Sequence, residues 1–280
     1  MNKPPVTLAE LITRVPLRID PHFGNTQLGN ATGFFYKGAN GTALITNWHV
    51  VSGRHPETLA CLSKTAAVPD RLRICVPVNK GVAPAMVVGW NEYWVSLYED
   101  EAHEKPVWRV HPDHTHGVDI VAIPLGGLEE TLLIAANDPT LQLDDLRLYP
   151  SLDVYVVGFP LGMFGGARFP IWKRGSIASE PDIDVAGKPF FYIDTATREG
   201  MSGAPVYAQE VGLWQPKGVT DFGSSVIGKG RSFVGVYASR VGAEDEFKAQ
   251  LGMVWKAAAL ETVVSSGTPG ESSYALHRAI

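Results

Sequence analysis

The sequence predicts an all-β chain. Short apolar runs recur at regular spacing, turn-forming residues stand between them, and no long helical pattern occurs before Gly242. The 29 Gly and 20 Pro are spread along the 280 residues, as many short elements joined by tight turns require. Strands spaced in this way suggest a barrel or a sandwich rather than a parallel α/β sheet.

Residues 1–29 read as an N-terminal arm with one short helix around 8–14. The apolar runs 33–36 and 41–46 are separated by Lys37-Gly38-Ala39-Asn40, so they predict a hairpin. Further strands are expected over 72–78, 85–88, 94–98 and 120–124, completing a first β unit over 30–130. Residues 126–150 lack clean alternation and carry Asn137-Asp138-Pro139 and Asp144-Asp145, which marks a connecting segment. Strands over 153–158, 172–179, 190–195, 204–208 and 233–237 then form a second unit, which with its linker spans 131–243. Beyond it Phe247, Leu251, Val254, Trp255 and Ala258 recur at helical spacing, predicting a C-terminal amphipathic helix over 244–264 and a mobile tail over 265–280.

At 45% hydrophobic and 19% charged residues, the chain can bury a substantial core without staples. The net charge of -5 is made of interspersed acids and bases, so no basic stripe offers itself to a nucleic acid backbone. The only cysteines, Cys61 and Cys75, are too few for a disulfide-framed secreted domain. No run at the N-terminus has the length and polarity of a signal peptide, and none elsewhere reaches a membrane span. The expectation is a soluble protein of a reducing compartment, placed in the cytoplasm, with no membrane partner.

Three segments carry chemistry. In Glu199-Gly200-Met201-Ser202-Gly203-Ala204-Pro205-Val206 a serine stands between small residues just before an apolar strand. Glycines there let a serine protrude while adjacent backbone N–H groups turn toward a developing oxyanion; an ordinary Gly-rich turn is the plainer alternative. In Leu44-Ile45-Thr46-Asn47-Trp48-His49-Val50-Val51 a histidine ends an apolar strand, a setting that also suits a satisfied core residue. Gly117-Val118-Asp119-Ile120-Val121 opens an apolar strand with an aspartate, which needs a donor if buried, and an imidazole N–H is one. A strand-end cap explains Asp119 equally well when it is seen alone.

Together these segments, with Val157-Gly158-Phe159-Pro160-Leu161-Gly162, resemble the trypsin-like serine peptidase family, in its bacterial branch without disulfides. The resemblance covers roughly residues 30 to 262. It implies two perpendicular six-stranded β-barrels of the trypsin-like fold with a C-terminal helix, the site lying in the cleft between them. It further implies Ser202 as nucleophile, His49 as general base, Asp119 as the residue orienting the histidine, and the Gly200 and Ser202 N–H groups as the oxyanion hole. The activity implied is serine endopeptidase, with protein or peptide as substrate and no cofactor. A protease-like fold kept as a binding or regulatory module, its site dormant, is the alternative.

Two departures from the family bear on the site. His49 and Asp119 stand 70 positions apart, longer than in compact members, and the excess is assigned to a surface insertion at 98–106 near the cleft. Met201 occupies the place where digestive members hold an aspartate that pairs with a newly cut N-terminus. Alignment by motif places Ala196 on the floor of the primary specificity pocket, with Thr197 beside it and Ser239 and Arg240 on the wall. The expected preference is for small or acidic residues before the scissile bond. His103, His111, His114 and His116, with Asp113, lack the spacing of metal ligands, so no metal is expected. Neither the physiological substrate nor a regulatory partner is legible.

Overall fold

A computed structural model describes residues 10–81, 88–126, 131–240 and 251–276, and the side chains of 239 and 240 lie outside that description. In chain order the elements are β1 (Pro16–Phe23), β2 (Thr26–Gln27), β3 (Ala31–Gly38), β4 (Gly41–Thr46), α1 (Trp48–Ser52), β5 (Arg71–Asn79), β6 (Val88–Ser96), β7 (Arg109–Val110) and β8 (Val121–Pro124). There follow β9 (Asp153–Gly158), β10 (Ile171–Ile177), β11 (Phe190–Asp194), β12 (Pro205–Trp214), β13 (Val226–Arg240), β14 (Leu251–Lys256), α2 (Ala257–Ser266) and β15 (Thr268–Pro269). The chain is thus mostly β.

The described strands form two sheets. The first runs β15-β7-β8-β4-β3-β1-β5-β6, with β2 paired to β1, and the second closes on itself as β10-β11-β14-β13-β12-β9. The expected hairpin is β3 and β4, whose turn residues Gly38 and Gly41 face each other in register. Inward residues of the first sheet, among them Leu17, Ile19, Leu44, Leu72, Ile74 and Val121, form one buried cluster. Val154, Val156, Phe191, Val206 and Val254 form another inside the second sheet. A third cluster joins the halves, bringing Phe34 and Ile45 from the first against Val157, Tyr207 and Val236 from the second, and α2 adds Leu260 and Val263. Apolar burial on both faces of β3 and β4 locks the two sheets together and fixes the groove where the site lies.

Three expectations are corrected. The N-terminal arm is not peripheral: a 3-10 turn at Leu11–Arg14 leads into β1, which sits between β3 and β5. Of the helix expected over 244–264, residues 244–250 lie outside the described residues, 251–256 form strand β14, and only from Ala257 is the chain helical. Strand pairing with β11 on one side and β13 on the other outweighs the helical spacing of a few apolar residues. The tail is docked as far as it is described. Its β15 pairs with β7, and Ser273 is fully buried with its carbonyl held by the Arg54 guanidinium at 2.9 and 3.1 Å. The 98–106 segment packs under that tail, His103 stacking on Tyr274 at 4.7 Å. The expected strand at 85–88 lies outside the described residues except for Val88, where β6 begins.

Candidate active site

Three pieces of chain meet at the groove. Strand β4 ends at Thr46, and α1 starts at once, with Asn47 in extended conformation as its N-cap and Gly53, left-handed at φ 64°, as its C-cap. His49 stands in the first turn of this short helix. The N–H groups of a first turn have no partner within the helix, and that of His49 donates to Asp119 Oδ1 at 2.9 Å. The other carboxylate oxygen, Oδ2, lies 2.7 Å from His49 Nδ1. Asp119 therefore fixes the backbone and the ring of one residue simultaneously. Its own position is set by Asn47 Nδ2, which donates to the Asp119 carbonyl at 2.6 Å, so the start of β8 and the end of β4 are tied across the site. The Asp119 side chain is 4% exposed and that of His49 17%, a buried acceptor behind a ring that reaches solvent.

Ser202 follows a tight backbone path. Gly200 has φ 89° and Gly203 φ 81°, both in the left-handed region. A Cβ on Gly200 would collide with Asn30 Oδ1 and the Phe159 carbonyl, and one on Gly203 with the Thr32 carbonyl. The turn is held from both sheets. Leu161 N–H donates to the Glu199 carbonyl at 2.6 Å, Ala204 N–H to the Met201 carbonyl at 2.9 Å, and Gly203 N–H to the Tyr237 carbonyl at 2.8 Å. Carbonyl and N–H of a trans peptide point in opposite directions, so binding the carbonyls of Glu199 and Met201 turns the N–H groups of Gly200 and Ser202 the other way. Among the described residues, neither N–H has an acceptor.

Thr32 on β3 is the residue that sequence reasoning missed. Its hydroxyl donates to the Gly200 carbonyl at 2.7 Å and accepts from Phe159 N–H at 3.1 Å, while its own N–H donates to the Ser202 carbonyl at 2.9 Å. One fully buried threonine of the first sheet thus anchors the serine-bearing turn of the second. Its only sequence signal was a hydroxyl residue in an apolar strand, one of many.

His49, Gly200 and Ser202 line one cavity of about 270 Å³, together with Glu199 and Asn30. Among the described residues no hydrogen bond joins the Ser202 hydroxyl to the His49 ring. Among the described side chains, Ala196 and Thr197 are not brought to this cavity. Ala196 is exposed, and Thr197 is buried with its hydroxyl bonded to Tyr237 Oη. Ser239 and Arg240 belong to β13. The 98–106 segment contributes nothing to the lining either. Met201 is fully buried in the second-sheet core.

No three His, Cys, Asp or Glu side chains among the described residues come together as metal ligands. His111 and His114 lie with ring centroids 5.0 Å apart, and burial pushes the His111 imidazole below its ordinary range. Cys61 and Cys75 are both free thiols. No described helix is long and apolar enough to cross a membrane.

Comparison with known proteins adds one decisive match. The sequence model of the family described as trypsin-like peptidase domain matches residues 31–213. No curated protein is matched by the sequence. Among solved structures, the chain is similar to a serine endoprotease from Yersinia pestis at 12% identity and TM-score 0.46, covering 92% of this chain and 65% of that one. It thus spans slightly less than two thirds of that protein's length. It is similar at 13% identity to an inactivated protease paralogue of the scabies mite, with TM-score 0.47 and coverage of 90% and 93%. The protease Anisep of Arthrobacter nicotinovorans is also 13% identical, with TM-score 0.45 and coverage of 90% and 95%.

Proposed function

Since the chain belongs to the trypsin-like peptidase domain family, we propose that it is a serine endopeptidase, hydrolysing peptide bonds of protein or peptide substrates through an acyl-enzyme. The observation that carries the reading is the convergence on one cavity of a carboxylate-held imidazole, a serine on a turn flanked by left-handed glycines, and two backbone N–H groups without acceptors among the described residues. In this reading the sheets act as the two barrels of the family, with the site in the groove between them.

Ser202 Oγ attacks the scissile carbonyl while His49 Nε2 takes its proton. Asp119 accepts the Nδ1–H, which leaves Nε2 as the unprotonated nitrogen and stabilises the imidazolium once formed. The N–H groups of Gly200 and Ser202 receive the oxyanion, each worth a few kcal/mol in the transition state because they are fixed before charge develops. His49 then returns its proton to the leaving amine, and water repeats the sequence on the acyl-enzyme. The serine-to-histidine hydrogen bond forms on substrate binding, as catalytic bonds often do.

On the acyl side, Ala196 and Thr197 with Ser239 and Arg240 bound the specificity pocket, and Arg240 favours small or acidic residues over basic ones. The missing serine-to-histidine bond favours a second reading, a dormant site on a fold used for binding. A fluorophosphonate probe separates the two. The peptidase reading expects stoichiometric modification of Ser202, located by peptide mass and abolished in Ser202→Ala. A folded protein that is never labelled would establish the dormant site.

A further inference from the structure

The cavity extends well beyond the reacting atoms. At about 270 Å³ it lies near the lower end for pockets that enclose a ligand, a scale suited to a side chain rather than a long segment. Past His49 its walls include Pro21, Leu28, Val50, Leu62, Ala67 and Pro69, all apolar, with the uncharged Ser63 beside Leu62. The ionisable lining residues, His49 and Glu199, stand at the catalytic mouth. Among the described residues no cation lines the deeper part to pair with an acidic side chain, and burying one there unpaired would be costly.

The reaction decides which end of the substrate lies here. His49 hands a proton to the departing nitrogen, so the leaving group sits on the α1 side of the scissile bond. Val50 on α1 and the loop that follows α1 make most of the walls, with Pro21 and Leu28 beside them, while Ala196 and Thr197, assigned to the acyl side, line none of it. We propose that this extension is a leaving-group subsite that selects an aliphatic residue immediately after the scissile bond, with Leu62 as the selecting side chain; this rests on the hydrolytic reading above.

Leu62 is 52% exposed, an aliphatic side chain left uncovered at the cavity and available to an incoming one. The wall beneath it is preformed. Leu62 N–H donates to the Gly53 carbonyl at 2.8 Å, the Arg54 guanidinium holds the Leu59 carbonyl at 3.0 Å, and Tyr274 Oη holds the Val68 carbonyl at 3.1 Å. A wall ordered before binding loses little freedom when a side chain docks.

The test uses acyl transfer. The acyl-enzyme, formed from a p-nitrophenyl ester of a small residue, is offered leucinamide, glycinamide or aspartamide in competition with water. Leucinamide should capture it about tenfold more efficiently than glycinamide, and aspartamide no better than glycinamide. In Leu62→Asp the leucinamide-to-glycinamide ratio should fall to about one; the ratio is taken within one protein, so a change in overall rate cancels. In parallel, the methyl NMR signals of Leu28, Val50 and Leu62 are followed in Ser202→Ala as each amide is added. Equal capture of the amides by an acyl-enzyme that does form overturns the subsite and leaves the hydrolytic reading standing. If no acyl-enzyme forms, that reading falls and the titration decides alone. Shifts at these methyls with leucinamide but not aspartamide uphold the subsite, and their absence overturns it.

Discussion

Replacing Asp119 by Asn changes one atom of the site and should nearly silence it. The carboxylate serves two donors, the His49 backbone N–H at 2.9 Å and His49 Nδ1 at 2.7 Å. The backbone N–H only donates, so the amide oxygen of Asn must face it. That orientation puts the Asn NH2 against Nδ1, which has to accept, and the ring proton moves to Nε2. The nitrogen required to take the serine proton then already carries one. Little else is disturbed: the side chain is isosteric, and the bond from Asn47 reaches the Asp119 main-chain carbonyl, which the substitution leaves in place. Wrong-tautomer variants of serine proteases lose about ten-thousandfold in kcat, about 5.4 kcal/mol at 1.36 kcal/mol per factor of ten. Steady-state hydrolysis of a peptide p-nitroanilide at neutral pH measures it, with thermal melting to show an intact fold. A kcat within tenfold of the parent would refute the assignment of Asp119.

Two further outcomes follow from particular contacts. Gly200→Ala places a Cβ against Asn30 and the Phe159 carbonyl at a φ of 89°, so the turn must shift and misdirect at least one oxyanion N–H; kcat should fall about a hundredfold to a thousandfold, and an unchanged kcat would remove Gly200 from the oxyanion hole. His22→Phe should raise the melting temperature by a few degrees, because both ring nitrogens of His22 are buried without partners among the described residues, edge-on to Trp94, and an unsatisfied buried group costs about 1–3 kcal/mol. Burial first, then the Arg73 and Arg71 charges, hold this imidazole below its ordinary range against the opposing Asp20 and Asp70. The unfolded chain therefore binds a proton near pH 6.5 that the folded chain refuses, so the parent should lose stability as pH drops below about 6.5. A melting-temperature series from pH 8 to 5 that is equally steep in His22→Phe and the parent would show that His22 is not the group responsible.

The site was legible because its signals are local. An apolar strand ending at Asn47-Trp48-His49, an aspartate opening the next apolar run, and a serine between glycines each show within a few residues what the structure brings together. What stayed hidden depends on distant partners. Strand β1 reads Pro-Leu-Arg-Ile-Asp-Pro-His-Phe, too polar and proline-rich for a central strand. It is one because Asp20 pairs with Arg18 at 2.9 Å and with Arg73 of β5 at 2.7 Å, which neutralises the polar face. Strand β14 was masked by apolar spacing that fits two periods over six residues, and only its neighbours β11 and β13 decide between them. Thr32 looked ordinary because its bonds to Phe159, Gly200 and Ser202 all reach residues far along the chain.

The docking of the tail has a consequence for synthesis. A chain leaves the ribosome amino end first, yet the half bearing His49 and Asp119 receives its outermost strand from Thr268 and Pro269, and Arg54, bonded locally to the Leu59 carbonyl, finds its second carbonyl partner only at Ser273. Growing chains carry that half with an open β7 edge and an Arg54 guanidinium short of its Ser273 acceptor until nearly the whole length described here has emerged, a stage at which exposed edges invite wrong pairings. The same order has a second effect: the loop after α1 is braced last, by Ser273 and Tyr274, after Ser202 has already been made, so under the peptidase reading a nascent chain completes its site only at the end.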